Sequence, residues 1–243
     1  MMRVEGIAKH FGHVEAVSDV SFHAEDGQVT GILGPNGAGK TTTLRMLATL
    51  LSPDRGRIVI DDIDVAVWPM EARSKLGVVG HAGGLYPRLT AMEHIRYFAE
   101  LQGLSRAQAD ARAAQLIAAL DMAGIENRRV AGFSQGEKLK VAIARALIHE
   151  PSHVVLDEPS NGLDVMSTRA VRELIRSFRD QGKCVVFSSH IMQEVSALCD
   201  HIVVISRGRV VAQGTPEQIK TQGGKETLED AFVAIVGSGE GLV

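Results

Sequence analysis

Apolar residues along the chain gather into short runs rich in Val and Ile, at Val29 to Leu33, Ile58 to Ile60, Leu76 to Val79, Val154 to Leu156, Val185 to Phe187, Ile202 to Ile205 and Val210 to Ala212. Each run has the length of a strand, and most are followed by segments of helical spacing. That alternation predicts parallel strands joined by crossover helices, an α/β sheet. Met1-Met2-Arg3 also leads into a strand-like segment, and Arg207-Gly208 between the last two runs predicts a hairpin.

The stretch from about Tyr86 to Glu150 carries no strand signal. It holds three helix starts of the form Ser/Thr-x-x-Glu/Gln, at Thr90…Glu93, Ser105…Gln108 and Ser134…Glu137. In such a capping box the hydroxyl and the carboxyl or amide side chain each satisfy a backbone N–H that the helix leaves unpaired. The run L-K-V-A-I-A-R-A-L-I-H-E after Ser134 predicts a helix that stops at Pro151. Residues 86–149 therefore read as a helical lobe inserted into an α/β core made of 1–85 and 150–243. Thr215-Pro216-Glu217-Gln218 opens a further short helix, and Gly237 to Gly239 predicts a loose tail.

Composition narrows the function. With 45% apolar residues in 243 and few aromatics, the chain suits one packed core. A net charge of −3 and a pI near 6.3 argue against a dedicated nucleic-acid binder, for which a pI above about 9 is usual; no nucleic-acid partner is expected, and Arg128-Arg129 reads as a solvated turn. No apolar run reaches the length that spans a bilayer and no signal-peptide core is present, so the chain is expected to be neither inserted nor exported by itself. Its two cysteines, Cys184 and Cys199, have neither metal nor redox spacing and read as reduced packing residues in a cytosolic protein.

The strongest chemical signal is G-P-N-G-A-G-K-T at Gly34 to Thr41, between the strand V-T-G-I-L and a helix that begins T-T-T-L-R-M-L and is expected to end before Ser52-Pro53. This is a phosphate loop: glycines let the backbone wrap an anion, the N–H groups of 37–41 point at phosphate, Lys40 reaches the β and γ phosphates, and the Thr41 hydroxyl ligates Mg²⁺. H-V-V-L-D-E-P at 153–159 supplies what such a nucleotide still lacks, with Asp157 near the metal and Glu158 as a general base. F-S-S-H places His190 at a strand end where ligands bind open sheets, a candidate γ-phosphate contact. H-E-P-S-H at 149–153 fits the zinc-protease pattern but is rejected, because Pro151 breaks the helix that would align its two histidines.

With these residues in hand the chain resembles the nucleotide-binding subunit of an ABC transporter over almost its whole length. Gly34 to Thr42 is similar to the family's Walker A motif, Val154 to Glu158 to its Walker B, S-N-G-L-D at Ser160 to Asp164 to its D-loop and His190 to its switch histidine. F-S-Q-G-E resembles the signature motif L-S-G-G-Q, with Gln135 in place of a glycine and Glu137 in place of a glutamine. The resemblance implies a P-loop NTPase, RecA-like core with an antiparallel β subdomain and an inserted helical subdomain. It implies ATP held by Phe11, stacked on adenine, and by Gly34, Asn36, Gly37, Ala38, Gly39, Lys40, Thr41 and Thr42, with Mg²⁺ on Thr41 and Asp157 and catalysis by Glu158 and His190.

Ser134, Gln135, Gly136, Glu137 and Asp164 are implied to act in trans, on ATP held by a second copy packed head to tail. That would answer why one chain carries two helix ends suited to anions. The further partner implied is an integral membrane permease, which would hold the chain at the cytoplasmic face of the inner membrane. His81 stands where the family has a metal-reaching glutamine in the loop that couples to the permease. Residues 84–100, S-N-G-L-D-V-M-S-T-R and S-S-H-I-M-Q-E-V look most like the ATPases of sodium-extruding exporters. Export of a drug, lipid or polysaccharide, an ABC ATPase without a transport role and a nucleotide-dependent switch are the alternatives; Glu158 argues against the switch, which needs no general base.

Overall fold

A computed structural model of the chain describes residues 1–80 and 84–237. In order the elements are β1 Met2–Phe11, β2 Val14–Ala24, β3 Val29–Leu33, α1 Lys40–Leu47, β4 Arg55–Ile60, β5 Ile63–Asp64, α2 Pro69–Ser74 and β6 Leu76–Val79. There follow α3 Ala91–Leu101, α4 Arg106–Ala119, α5 Gln135–Leu147, β7 His153–Asp157, α6 Val165–Asp180, β8 Cys184–Ser189 and α7 Met192–Leu198. The chain continues as β9 His201–Ser206, β10 Arg209–Gly214, α8 Pro216–Gly223 and α9 Leu228–Gly237.

The strands form one sheet in the order β5-β4-β1-β2-β10-β9-β3-β8-β7-β6. β9, β3, β8, β7 and β6 run parallel, as the βα alternation predicts. Their side chains alternate between two apolar layers. Leu33, Leu156, Phe187 and Val204 pack toward α3, α5, α6 and α7, while Ile32, Val155, Val186 and Val203 pack toward α1 and the β1–β2 side. Both faces are covered, which is why these strands read as continuous apolar runs.

The other half is antiparallel, as the family resemblance implies and unlike the parallel pairing that the apolar runs alone predict. Ile58 to Ile60 belongs to β4, which pairs antiparallel with β1. The first 24 residues form the two longest strands, an antiparallel pair, where only a strand-like start was legible. The halves join where β10 meets β2, at the pair Arg209–Asp19 and the 2.9 Å hydrogen bond from Ser18 N–H to the Gly208 carbonyl. The Arg207-Gly208 hairpin is present, with positive φ at both residues.

Between β6 and β7 the described residues contain helices and no named strand. The capping boxes at Thr90, Ser105, Ser134 and Thr215 are all formed, each with both reciprocal hydrogen bonds, a contribution of about 1 kcal/mol per cap. Three ends differ from expectation. α5 stops at Leu147 ahead of Pro151, since a proline disfavours helix at the residue before it and Glu150 turns to φ 55°. α1 ends at Leu47, and Thr49 takes φ 58°. Gly237 closes helix α9 where a tail was expected; the remainder of that tail lies outside the described residues. No helix among the described residues is long and apolar enough to cross a membrane.

Candidate active site

The C-terminal ends of β3, β7 and β8 lie together on one edge of the sheet, and each delivers one part of the site. Gly34 follows β3, and a Cβ there would collide with the Ile205 carbonyl. Asn36 and Gly37 form an exposed turn, while Ala38 is buried and accepts from Gly208 N–H at 3.0 Å. Gly39 is the N-cap of α1 at φ 105°, and a Cβ on it would sit 2.6 Å from the Ala16 carbonyl. The loop is thus clasped between the parallel strands and β2, and only glycine fits at both positions.

Lys40 is buried. Its ammonium donates to the carbonyls of Gly34 at 2.8 Å and Pro35 at 3.1 Å and lies 4.0 Å from Glu158 Oε1. Burial pulls its pKa below the ordinary lysine value, an effect that Glu158 and Asp157 partly offset. Thr41 Oγ1 donates to Asp157 Oδ1 at 3.2 Å, joining the loop to the end of β7. Thr42, half-buried in the first turn of α1, follows it.

Two residues that sequence reasoning passed over complete this edge. Ser188, directly opposite Asp157 in the β7–β8 register, donates to Asp157 Oδ1 at 2.7 Å and accepts from the Glu158 N–H at 3.0 Å. Asn161 Nδ2 donates to Glu158 Oε2 at 3.2 Å. Both hydroxyl and amide stood in quoted motifs, S-S-H and S-N-G-L-D, but only strand register shows that Ser188 meets Asp157. Glu158 itself takes φ 49°, and its Oε2 lies 3.4 Å from His190 Nδ1.

Phe11 ends β1 opposite Val14, with half its surface exposed and free to meet a planar ring. Ser134 and Gln135 are exposed at the start of α5. Glu137 Oε2 accepts from Ser134 N–H at 2.7 Å, Ser134 Oγ accepts from Glu137 N–H at 3.2 Å, and Arg128 holds the other carboxylate oxygen at 3.2 Å. Asp164 caps α6 through Ser167 N–H at 2.9 Å, and a Cβ on Gly136 would approach Ser167 Oγ to 2.9 Å, so the two helix starts share one surface. Val165 and Met166 beside them are 84% and 73% exposed. His81 lies outside the described residues.

The zinc-protease match fails as argued. His149 Nε2 contacts the Leu76 carbonyl at 3.0 Å, while His153 begins β7 and contacts Asp61 at 2.8 Å. A cleft of about 420 Å³ runs between Asp157, Glu158 and Asn161 on one wall and Gln135, Lys138 and Leu139 on the other. Asp157 and Glu158 border it on the side of the phosphate loop, through Thr41 and Lys40.

A family model described as ABC transporter matches residues 17–161, which include the phosphate loop, Asp157 and Glu158. The chain belongs to the ABC transporter family. This ABC protein is 46% identical over 222 residues to "ABC transporter ATP-binding protein NatA" of Bacillus subtilis (strain 168), covering 91% of the chain and 90% of that protein. It is 33% identical over 228 residues to "Linearmycin resistance ATP-binding protein LnrL" of the same organism, covering 94% and 73%. The solved "Structure of ATP binding subunit of ABC transporter" superposes with a TM-score of 0.88 at 31% identity, covering 97% of the chain and 99% of that one. The ABC protein is an ATP-binding subunit and an ATPase.

Proposed function

We propose that this ATPase drives export through a separate membrane permease and that two copies must close head to tail, each completing the other's ATP site. The observation that carries the reading is the split between two exposed edges. Lys40, Thr41, Asp157, Glu158 and His190 meet on one, whereas Ser134 and Asp164, on the second, make their hydrogen bonds within their own helix caps, with Gln135 facing Glu158 across the cleft. The exposed Val165 and Met166 give that second surface the apolar area an interface needs.

Within each site Gly34 and residues 36–39 wrap the phosphates, Lys40 releases its two loop carbonyls to reach the terminal ones, Thr42 adds its hydroxyl and Phe11 stacks on the base. Thr41 and Asp157 offer hard oxygens already 3.2 Å apart, a donor set that fits Mg²⁺. When bound, Mg²⁺ neutralises charge that builds on the terminal phosphates. Ser188 fixes Asp157, and Glu158 takes the proton of the attacking water while Asn161 and His190 hold its carboxylate in place. Ser134, Gln135, Gly136 and Glu137 approach the partner's γ-phosphate, with Asp164 at the seam.

The permease would keep the chain at the cytoplasmic face of the membrane, with the loop around His81 in contact with it. Sodium is the cargo we put first, from the likeness of residues 84–100 to sodium-exporter ATPases and the 46% identity to NatA. A drug-like cargo is the second reading, favoured by the resemblance to a linearmycin-resistance ATPase. Inverted vesicles carrying the ATPase with its permease should accumulate the cargo only with ATP, and sodium uptake at background level would remove the first reading. For the site, Glu158→Gln should keep ATP binding, trap a dimer and lose about 10²–10⁴ in turnover. A wild-type rate in that variant would falsify the assignment of the base.

A further inference from the structure

The ends of β7 and β8 opposite the nucleotide hold chemistry that ATP hydrolysis does not use. His153 and Cys184 are the first residues of these strands, paired directly across the sheet and both fully buried. Asp26, in the turn between β2 and β3, brings an exposed carboxylate to them, and the donor atoms of Asp26, His153 and Cys184 all lie within 4.8 Å of one another. His153 Nε2 sits 2.8 Å from Asp61 Oδ2, in the turn after β4. That carboxylate keeps the proton on Nε2 and leaves a lone pair on Nδ1. Nδ1 is buried, has no hydrogen-bond partner and faces Asp26 Oδ1 at 3.8 Å. A buried ring nitrogen left without a partner is unfavourable, so a ligand there would relieve it.

We propose that Asp26, His153 and Cys184 bind a divalent cation of the zinc type, with water as fourth ligand. The set of one oxygen, one nitrogen and one sulfur suits a borderline-soft ion and not Mg²⁺ or Ca²⁺. The Asp61–His153 contact is the carboxylate–imidazole pairing that orients ligating histidines. Tetrahedral zinc with bonds of about 2.0–2.3 Å needs its ligands roughly 3.3–3.8 Å apart; Asp26 Oδ1 and His153 Nδ1 already stand at 3.8 Å, and Cys184 Sγ lies within 4.8 Å of both. Burial pushes the Cys184 thiol up to about 12, so binding breaks its S–H bond, forms the S–metal bond and releases the proton to water. The Met1 amino group, 2.5 Å from Asp26 and 2.8 Å from Asp61, is the cation that the ion displaces from Asp26. The bound ion clamps the turns of the antiparallel half to the base of the parallel half.

The test is titration of the full chain with Co²⁺ in the absence of Mg²⁺ and ATP, then with Zn²⁺. Wild type should bind stoichiometric Co²⁺ with a thiolate-to-cobalt charge-transfer band and the intense visible bands of a tetrahedral site. Cys184→Ser should lose the sulfur band, and Asp61→Asn should weaken binding about 10- to 100-fold. Should Cys184→Ser not fold, the exposed Asp26→Asn decides: it should keep ATPase activity and lose the rise in Tm that Zn²⁺ gives the wild type. Cobalt bound without a sulfur band, a band that survives Cys184→Ser, or equal Zn²⁺ stabilisation of Asp26→Asn would each overturn the site.

Discussion

The starts of α1 and α5 are both helix ends suited to anions, and they are built in opposite ways. α1 has Gly39 at its cap, no side-chain hydrogen bond and no acidic residue in its first turn, so its backbone N–H groups and Lys40 are left for a phosphate. α5 has Ser134 at its cap, and its end is already closed by Glu137, a carboxylate in the first turn. Helix dipole and exposed N–H groups favour an anion at α1. At α5 the Glu137 charge opposes one, and Arg128 offsets it. The difference teaches that helix ends in one fold can be built for opposite purposes, one left open to an anion and one already closed by its own carboxylate, as the proposed division of the ATP site between two copies requires.

The largest test of that division is Ser134→Arg. It should leave ATP affinity of the isolated subunit unchanged while cutting turnover roughly a hundredfold or more, the scale of losing a group aimed at developing charge. Mixed with Lys40→Ala chains it should recover part of the activity, because one composite site then keeps both halves. Loss of ATP binding by Ser134→Arg alone would place α5 in the same site as α1 and end the comparison. Lys40→Ala should do the converse and weaken ATP binding by the isolated subunit about 10- to 100-fold, as expected for a lost charge-assisted hydrogen bond; equilibrium dialysis would read it.

Glu137→Gln sharpens the contrast with a smaller effect. Glutamine can still accept from Ser134 N–H, so the cap persists while the charge goes. ATP-driven association should tighten by about 0.3–1 kcal/mol, the usual worth of a charge at a helix end. The same variant carries a pH signature. The Ser134 N–H, followed by the Ser134 hydroxyl and Arg128, holds the Glu137 carboxyl below its ordinary value of 4.5. Its contribution to stability is therefore complete above that value and fades as pH falls through the folded-state value. Melting curves should show wild type and Glu137→Gln converging in that acid range, by little, since the pair is near the surface.

What was legible in the sequence was local. Each capping box is a four-residue device, and each formed at the expected residues. The phosphate loop and Asp157-Glu158 carry their geometry in consecutive residues. Only the start of β1 was legible, because its alternation is broken: register shifts fall between Val4 and Ile7 and again before Lys9 and His10, with Gly6 at φ 55°, so the buried residues Met2, Val4, Ile7 and Ala8 change phase. Ser188 was hidden for another reason. A hydroxyl inside an apolar strand announces nothing until β8 is set beside β7, and that neighbour comes from a strand 31 residues away. The same holds for Asp26, His153 and Cys184, whose spacing along the chain follows no metal pattern.

Glu158, whose carboxylate meets His190, holds φ 49°, a conformation that costs a non-glycine residue about 1–2 kcal/mol. Glycine at 158 would relax it. A population of this protein selected only for resistance to heat would accordingly drift toward glycine there and, with Glu158 the base we propose, would end as a well-folded protein that binds ATP and turns it over slowly.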